Sequence, residues 1–88
     1  MNLKVGDYVR LKTREAMLQI PNTKVDMNNA IRDGNNVLLF DMTELNMFGE
    51  IVEVVGLDDD GFTYSVSYFP YVCIEEVIEW DMYYGLSW

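Results

Sequence analysis

Residues 50–68 read EIVEVVGLDDDGFTYSVSY and decide the fold class of this 88-residue chain. The first six of these residues are rich in β-branched side chains, which are typical of a strand. The Asp60-Gly61 pair that follows is a hairpin turn signal. Residues 62–68 then alternate between large apolar and small polar side chains, so they predict a half-buried strand. The apolar face of that strand consists of Phe62, Tyr64, Val66 and Tyr68.

Shorter signals on both sides add further elements. Residues 8–12 alternate with Val9 and Leu11 on one face, which predicts a strand, and residues 37–40 predict another. Asp41 and Glu44 have the spacing of a capping box, so one short helical turn should follow and close at Gly49.

The last part of the chain predicts one or two more strands. Pro70 should interrupt the sheet, because proline cannot donate to a strand ladder. Residues 72–74 and 77–80 then predict short strands joined by a tight turn at Glu75-Glu76.

Residues 13–36 lack a regular pattern. Residues 14–19 have helix-forming composition, but Pro21 must end any helix near Ile20. Asp26 could cap a second short turn that ends at Gly34. The segment is therefore predicted to be an elaborated loop with one marginal helical turn.

Together these signals predict one mainly β domain over residues 1–88, a small closed barrel of about five strands. Barrel closure would remove the exposed strand edges of so short a chain. The predicted barrel core is Val9, Leu11, Ile51, Val54, Phe62, Tyr64, Val66 and Ile78.

Several segments of this sequence resemble a known protein family. Residues 4–12 (KVGDYVRLK) look like the opening strand of SH3-like barrels of the mind-bomb and KOW kind. Residues 49–54, the Asp60-Gly61 hairpin and residues 74–79 are similar to small SH3-like proteins common in bacteriophage genomes. The resemblance implies a 3₁₀ turn near Glu75-Glu76 before the last strand. It covers about three fifths of the chain and omits residues 13–36 and the tail from Asp81.

Charge is the most informative feature of the composition. The chain has a net charge of −9 and no histidine. Residues 1–24 carry five of the six basic side chains, whereas residues 25–88 carry thirteen of the fifteen acidic ones. Such a balance disfavours binding to nucleic acid or to an anionic membrane, because both depend on neutralising phosphates. The absence of histidine excludes Ser-His-Asp and Cys-His catalysis and imidazole metal ligands.

The sequence also lacks motifs for a reactive cysteine or a calcium site. Cys73 is the single cysteine and lies in an apolar run, so it is predicted to be a small buried hydrophobe. The aspartates of residues 58–60 lack the alternate spacing of a calcium loop. No metal site, cofactor or enzymatic activity is therefore predicted. The first residues hold no apolar stretch typical of a signal peptide, so we expect a cytoplasmic location, in the host if the chain is phage-encoded.

These observations favour a protein-binding module. The acidic, aromatic C-terminal third suggests an effector or inhibitor that docks on a basic host protein, with carboxylates that could imitate nucleic acid phosphates. The residues predicted to bind this partner are Glu75, Glu76, Glu79, Asp81, Tyr83, Tyr84 and Trp88. The aromatic tail, residues 81–88, could instead pack on its own domain or form a homodimer.

Two other function classes stay open. In the first, a KOW-like barrel contacts nucleic acid through the basic first strand, with Tyr8, Arg10 and Lys12 as the contact residues. In the second, the protein binds a small molecule or is an enzyme, although no constellation of residues supports this class.

Overall fold

The structure is a computed structural model that describes residues 2–78. Within them, the strands are β1 (Tyr8–Leu11), β2 (Lys24–Val25), β3 (Ile31–Arg32), β4 (Leu38–Phe40), β5 (Ile51–Glu53), β6 (Gly56–Leu57), β7 (Gly61–Tyr64), β8 (Ser67–Pro70) and β9 (Ile74–Ile78). The helix α1 is Arg14–Leu18, and two 3₁₀ helices are Met42–Met47 and Tyr71–Cys73. None of the helices in this part of the chain is long and apolar enough to span a bilayer.

The described strands form three antiparallel sheets of three strands each, in the orders β5-β1-β9, β2-β3-β4 and β6-β7-β8. A mainly β fold is therefore confirmed. A five-stranded SH3-like barrel is not confirmed, because the strands between residues 2 and 78 do not close into one barrel. Most of these strands are only two to four residues long. In the described residues each strand ladder stops at the edge of its own sheet, so the continuous staggered ladder that barrel closure requires is not formed.

Strand β1 is the centre of the first sheet and follows its sequence pattern. Val9 and Leu11 are fully buried, while Tyr8 and Arg10 are half-buried on the other face. Val9 lies opposite Val52 of β5 and Val77 of β9, so apolar pairs hold this sheet on both sides.

Two of the three helical predictions are confirmed, those at residues 14–19 and after Asp41, whereas the turn predicted from Asp26 to Gly34 is wrong because these residues belong to the β2–β3 hairpin and the loop after β3. Thr13 accepts a hydrogen bond from the Ala16 amide and caps α1. Asp41 and Glu44 form the predicted capping box, in which the Asp41 amide donates to Glu44 Oε1 at 2.8 Å. Both motifs act between near neighbours in the chain, so local sequence is enough to specify them.

Four phenylalanine rings connect the second and third sheets. Phe40 of β4 stacks on Phe48 with ring centroids 4.3 Å apart, and its ring lies 5.2 Å from that of Phe69 in β8. Phe69 in turn lies 5.8 Å from Phe62 of β7. Phe40, Phe62 and Phe69 are fully buried, and they belong to the same core as Val9 and Leu11.

Most of the predicted core is correct. Val9, Leu11, Val54 and Phe62 are buried. Tyr64 is half-buried and packs against the core, as expected for a ring whose hydroxyl lies at the rim. Ile78 is only half-buried and Ile51 is 45% exposed, so these two predictions are wrong. The prediction that Val66 is buried is the furthest from the structure, because its side chain is completely exposed.

The exposure of Val66 follows from a turn that the sequence pattern conceals. Residues 62–68 are not one strand, because Ser65 has a positive φ of 55° and begins the turn between β7 and β8. Tyr64 pairs with Ser67 across that turn, which leaves Val66 at its tip.

The predicted turn at Glu75-Glu76 is also wrong. β9 runs without interruption through both residues, and the 3₁₀ helix that precedes this strand lies earlier, at Tyr71–Cys73. A bulge explains the difference: Arg10 pairs with Glu76 but Leu11 pairs with Ile74, so Glu75 has no partner across β1. Pro70 ends β8, as the sequence predicted.

Two copies of one turn organise the segment that was predicted to be an irregular loop. Residues 26–30 (DMNNA) connect β2 to β3, and residues 33–37 (DGNNV) connect β3 to β4. In the first turn, Asp26 Oδ1 accepts from the amides of Asn28 and Ala30 at 2.8 and 3.1 Å. Asp33 Oδ1 accepts from Asn35 and Val37 in the same way, at 2.8 and 2.9 Å.

The fourth residue of each turn adopts the left-handed conformation. Asn29 has a φ of 65° and Asn36 a φ of 68°, and asparagine tolerates this region better than most residues. Arg32 lies between the turns and joins them: its Nε donates to Asp26 Oδ2 at 3.0 Å and its Nη1 to the Asn36 carbonyl at 3.1 Å. Residues 24–40 are therefore a three-stranded meander and not a loop.

We expect Asn36→Val to destabilise the domain by about 1–2 kcal/mol, the usual cost of the left-handed conformation for a residue with a Cβ branch. Asn36→Gly should leave stability within about 0.5 kcal/mol, since glycine adopts this region freely. Asn35→Val is the matched control on the exposed neighbouring residue. Equal urea midpoints for Asn36→Val and Asn35→Val would contradict the turn geometry.

Candidate functional site

The two residue sets predicted to bind partners meet on one sheet. Arg10 of β1 lies opposite Glu76 of β9, and its Nε is 3.0 Å from Glu76 Oε1. The predicted basic contact residue and the predicted acidic one therefore neutralise each other. Both side chains are about half exposed, so this ion pair contributes little to stability.

The other donor groups of the predicted basic contact residues are also engaged within the molecule. Lys12 Nζ donates to the Ile74 carbonyl at 2.7 Å, and Arg10 Nη1 donates to the Gly49 carbonyl at 3.4 Å. Tyr8 is half-buried and pairs with Glu53 of β5 and Ile78 of β9. The structure thus brings Tyr8 and Arg10 together on one face, where Glu53 lies opposite Tyr8 and Glu76 opposite Arg10.

The predicted acidic surface is only partly visible. Glu75 and Glu76 are exposed on β9, and Glu75 occupies the bulge. The other predicted partner-binding residues lie outside the described residues: they are Glu79, Asp81, Tyr83, Tyr84 and Trp88.

A second surface, which sequence reasoning missed, lies between β4 and β8. It is a groove of about 530 Å³ whose floor and walls come from β4, β8 and the 3₁₀ helix Tyr71–Cys73. We call it the β4–β8 groove. Its lining residues are Asp33, Val37, Leu38, Leu39, Asp60, Tyr68, Pro70, Tyr71 and Val72. A smaller cavity continues it past Leu38 and Tyr68 towards Asp41 and Glu44.

Four large apolar side chains of this groove are exposed to solvent. Val37 is 49% exposed, Val72 41%, Tyr68 40% and Leu38 37%. They come from three separate stretches of the chain, so no local pattern could have revealed the patch. Exposed apolar residues that gather in one groove are typical of a binding surface.

Tyr71 fixes the rim of the β4–β8 groove, and Tyr68 lies in an acidic part of it. The Tyr71 hydroxyl donates to the Asp58 carbonyl at 2.5 Å, and the Tyr71 amide donates to the Asp60 carbonyl at 3.3 Å. These bonds hold the hairpin loop of residues 58–60 against the groove. Burial raises the pKa of the Tyr68 hydroxyl above its ordinary value, and the negative charges of Asp58 and Asp60 raise this pKa further.

Cys73 lies in the buried core next to Leu39 of β4. Its side chain is fully buried, and its Sγ donates weakly to the Leu39 carbonyl at 3.4 Å. Burial raises the pKa of the Cys73 thiol to about 12, and the nearby Glu44 carboxylate contributes to this rise. The prediction that Cys73 is a small buried hydrophobe is confirmed.

The thiol should make stability depend on alkaline pH. The native state keeps the Cys73 proton up to a pKa of about 12, whereas the unfolded thiol loses it near 9.0. The stability that this difference contributes is complete below the unfolded pKa and is lost as pH rises towards the folded pKa. Between about pH 8 and about pH 10 the wild type should lose about 1–2 kcal/mol more free energy of unfolding than Cys73→Ala, measured by urea unfolding. Equal losses of unfolding free energy in the wild type and in Cys73→Ala would contradict a buried thiol.

The carboxylates of residues 2–78 are dispersed. Within residues 2–78, no group of three or more cysteine, aspartate or glutamate side chains is arranged to hold a metal ion. The aspartates of residues 58–60 instead form the predicted hairpin turn, in which the Asp58 amide donates to the Gly61 carbonyl at 2.8 Å.

Comparison with known proteins places this chain in no family: it matches no protein-family model, no curated protein and no solved structure.

Proposed function

We propose that this protein is a non-enzymatic binding module whose acidic surface docks on a basic protein partner. The observation that carries the proposal is the excess of carboxylates without a neighbouring cation. Of the thirteen acidic side chains in residues 2–78, Asp26 and Glu76 are the two that form ion pairs within that range. The others leave a negative field that a cationic partner would neutralise.

The basic side chains cannot offset this field. Arg10 and Arg32 form the two ion pairs, and Lys12 donates to a backbone carbonyl. Nucleic acid binding through Tyr8, Arg10 and Lys12 would require the Arg10–Glu76 pair to break and phosphates to approach Glu53 and Glu75. The geometry therefore favours a cationic partner over nucleic acid.

A role as a phage-encoded effector or inhibitor in a host cytoplasm is part of the same proposal. Its support is the sequence resemblance to small SH3-like phage proteins, together with the mainly β fold. An SH3-like origin would account for β1 as the central strand between β5 and β9.

A titration with defined probes tests the proposal. The full chain is titrated against three fluorescein-labelled ligands: a peptide in which lysine and leucine alternate, a matched peptide of glutamate and leucine, and a mixed-sequence DNA oligonucleotide. We expect micromolar binding of the lysine peptide alone, weakening as salt is added. Binding of DNA with a steep salt dependence, and no binding of the lysine peptide, would overturn the proposal.

A further inference from the structure

The β4–β8 groove and the cavity that continues it combine apolar anchor positions with acidic side chains. Leu38 and Tyr68 line both spaces, Asp33 and Asp60 line the groove, and Asp41 lines the continuation. Among the described lining residues there is no lysine or arginine. Neither Asp33 nor Asp60 forms an ion pair within residues 2–78. The groove is thus complementary to a ligand that carries cations on both sides of an apolar group.

The groove is also held in shape before any ligand arrives. Asp33 is fixed by the two backbone amides of its turn, and Tyr71 holds the loop that carries Asp60. A partner would therefore order few side chains on this surface when it binds, which lowers the entropic cost of association. Tyr68 presents a partly exposed ring beside Asp60, where a lysine or arginine could contact both the ring face and the carboxylate.

We propose that the β4–β8 groove is the docking site for an extended basic segment of the partner protein, with an apolar side chain seated against Leu38 and Tyr68 and cationic side chains directed at Asp33 and Asp60. This assignment rests on the proposed function. It locates partner binding in the groove and not at the Glu75-Glu76 surface. Charge selects this occupant. A second copy of the chain would bring a net charge of −9 to an acidic groove, and the chain's own residues 79–88 contain Glu79 and Asp81 but no basic residue.

Two matched pairs of variants test the site in the full chain. Asp60→Asn removes a charge from the groove, and Glu53→Gln removes one from the β5-β1-β9 sheet. Val72→Ser changes a groove side chain that is 41% exposed, and Val55→Ser changes one outside it that is 48% exposed. The probe is the labelled lysine–leucine peptide, and a lysine–glycine peptide tests the apolar anchor.

We expect Asp60→Asn and Val72→Ser each to weaken peptide binding about threefold to tenfold, and both controls to change it less than about twofold. The lysine–glycine peptide should bind the wild type more weakly than the lysine–leucine peptide. Equal effects of Asp60→Asn and Glu53→Gln would overturn the groove as the site while leaving the proposed function intact. Failure of the lysine–leucine peptide to bind the wild type would overturn both.

Other occupants would give distinct results. The two tryptophans are Trp80 and Trp88, so tryptophan emission reports on the C-terminal residues alone. A change in that emission on Val72→Ser without peptide, together with no peptide binding, would show that the tail occupies the groove and overturn the proposal. A wild-type dimer in light scattering that Val72→Ser dissociates would overturn it in favour of a second copy.

Discussion

Replacing Phe40 by alanine should destabilise the domain by about 3–5 kcal/mol, enough to unfold much of the population of so small a protein. Phe40 is fully buried and contacts the rings of Phe48 and Phe69 at 4.3 and 5.2 Å between centroids. Its loss would leave a cavity at the junction of the second and third sheets, where its ring packs between two others. Urea unfolding followed by circular dichroism measures the change.

Val66→Ala is the control for this experiment. Because Val66 is completely exposed, its truncation should change stability by less than about 0.5 kcal/mol. The opposite result would be a loss of about 2 kcal/mol in unfolding free energy for Val66→Ala and a small loss for Phe40→Ala. It would mean that residues 62–68 form one strand with Val66 inside, as the alternation alone suggests.

The second large effect is expected at Gly61. This residue is buried at the start of β7, and a Cβ there would collide with the backbone oxygen of Phe69 and lie 2.7 Å from the Tyr68 hydroxyl. A backbone oxygen in a paired strand cannot move aside cheaply, so Gly61→Ala should cost about 1–3 kcal/mol.

Gly56→Ala provides the comparison within the same sheet. A Cβ at Gly56 would lie 2.5 Å from Thr63 Oγ1, which is the end of a side chain that can rotate. We therefore expect a smaller loss of thermal stability for Gly56→Ala than for Gly61→Ala. The reverse order in a thermal melt would show that β7 and β8 do not pair in the register seen here.

Elements encoded by neighbouring residues were predictable from the sequence. The alternation of β1, the capping box of Asp41 and Glu44, and the Asp60-Gly61 hairpin all depend on contacts within a few residues. In each case local chemistry and burial agree, so propensity and tertiary structure point to the same conformation.

The meander of residues 24–40 carried a signal that sequence reasoning did not use. The pattern aspartate, any residue, asparagine, asparagine, apolar residue occurs twice, seven residues apart, at Asp26 and Asp33. In each turn the aspartate accepts hydrogen bonds from the amides two and four residues later, and the asparagine three residues later is left-handed. This combination is typical of a hairpin with a three-residue loop. The repeated pattern therefore identifies both turns.

The remaining errors have a physical origin that one sequence cannot reveal. The turn at Ser65 and Val66 lacks glycine and asparagine, so the period-two alternation continues across it unchanged. The β4–β8 groove arises from strands of two different sheets, whose proximity depends on packing of Phe40 against Phe69. Neither the turn nor the groove has a local signature.

The central claim is that a cationic segment binds in the β4–β8 groove, and amide chemical-shift mapping tests it most directly. The ¹⁵N-labelled full chain is titrated with the lysine–leucine peptide at low salt. We predict that the shifts concentrate in residues 33–41 and 58–72, while β1 and β5 are nearly unchanged. Shifts that are largest on β1, β5 and β9, around Arg10 and Glu76, would contradict the account.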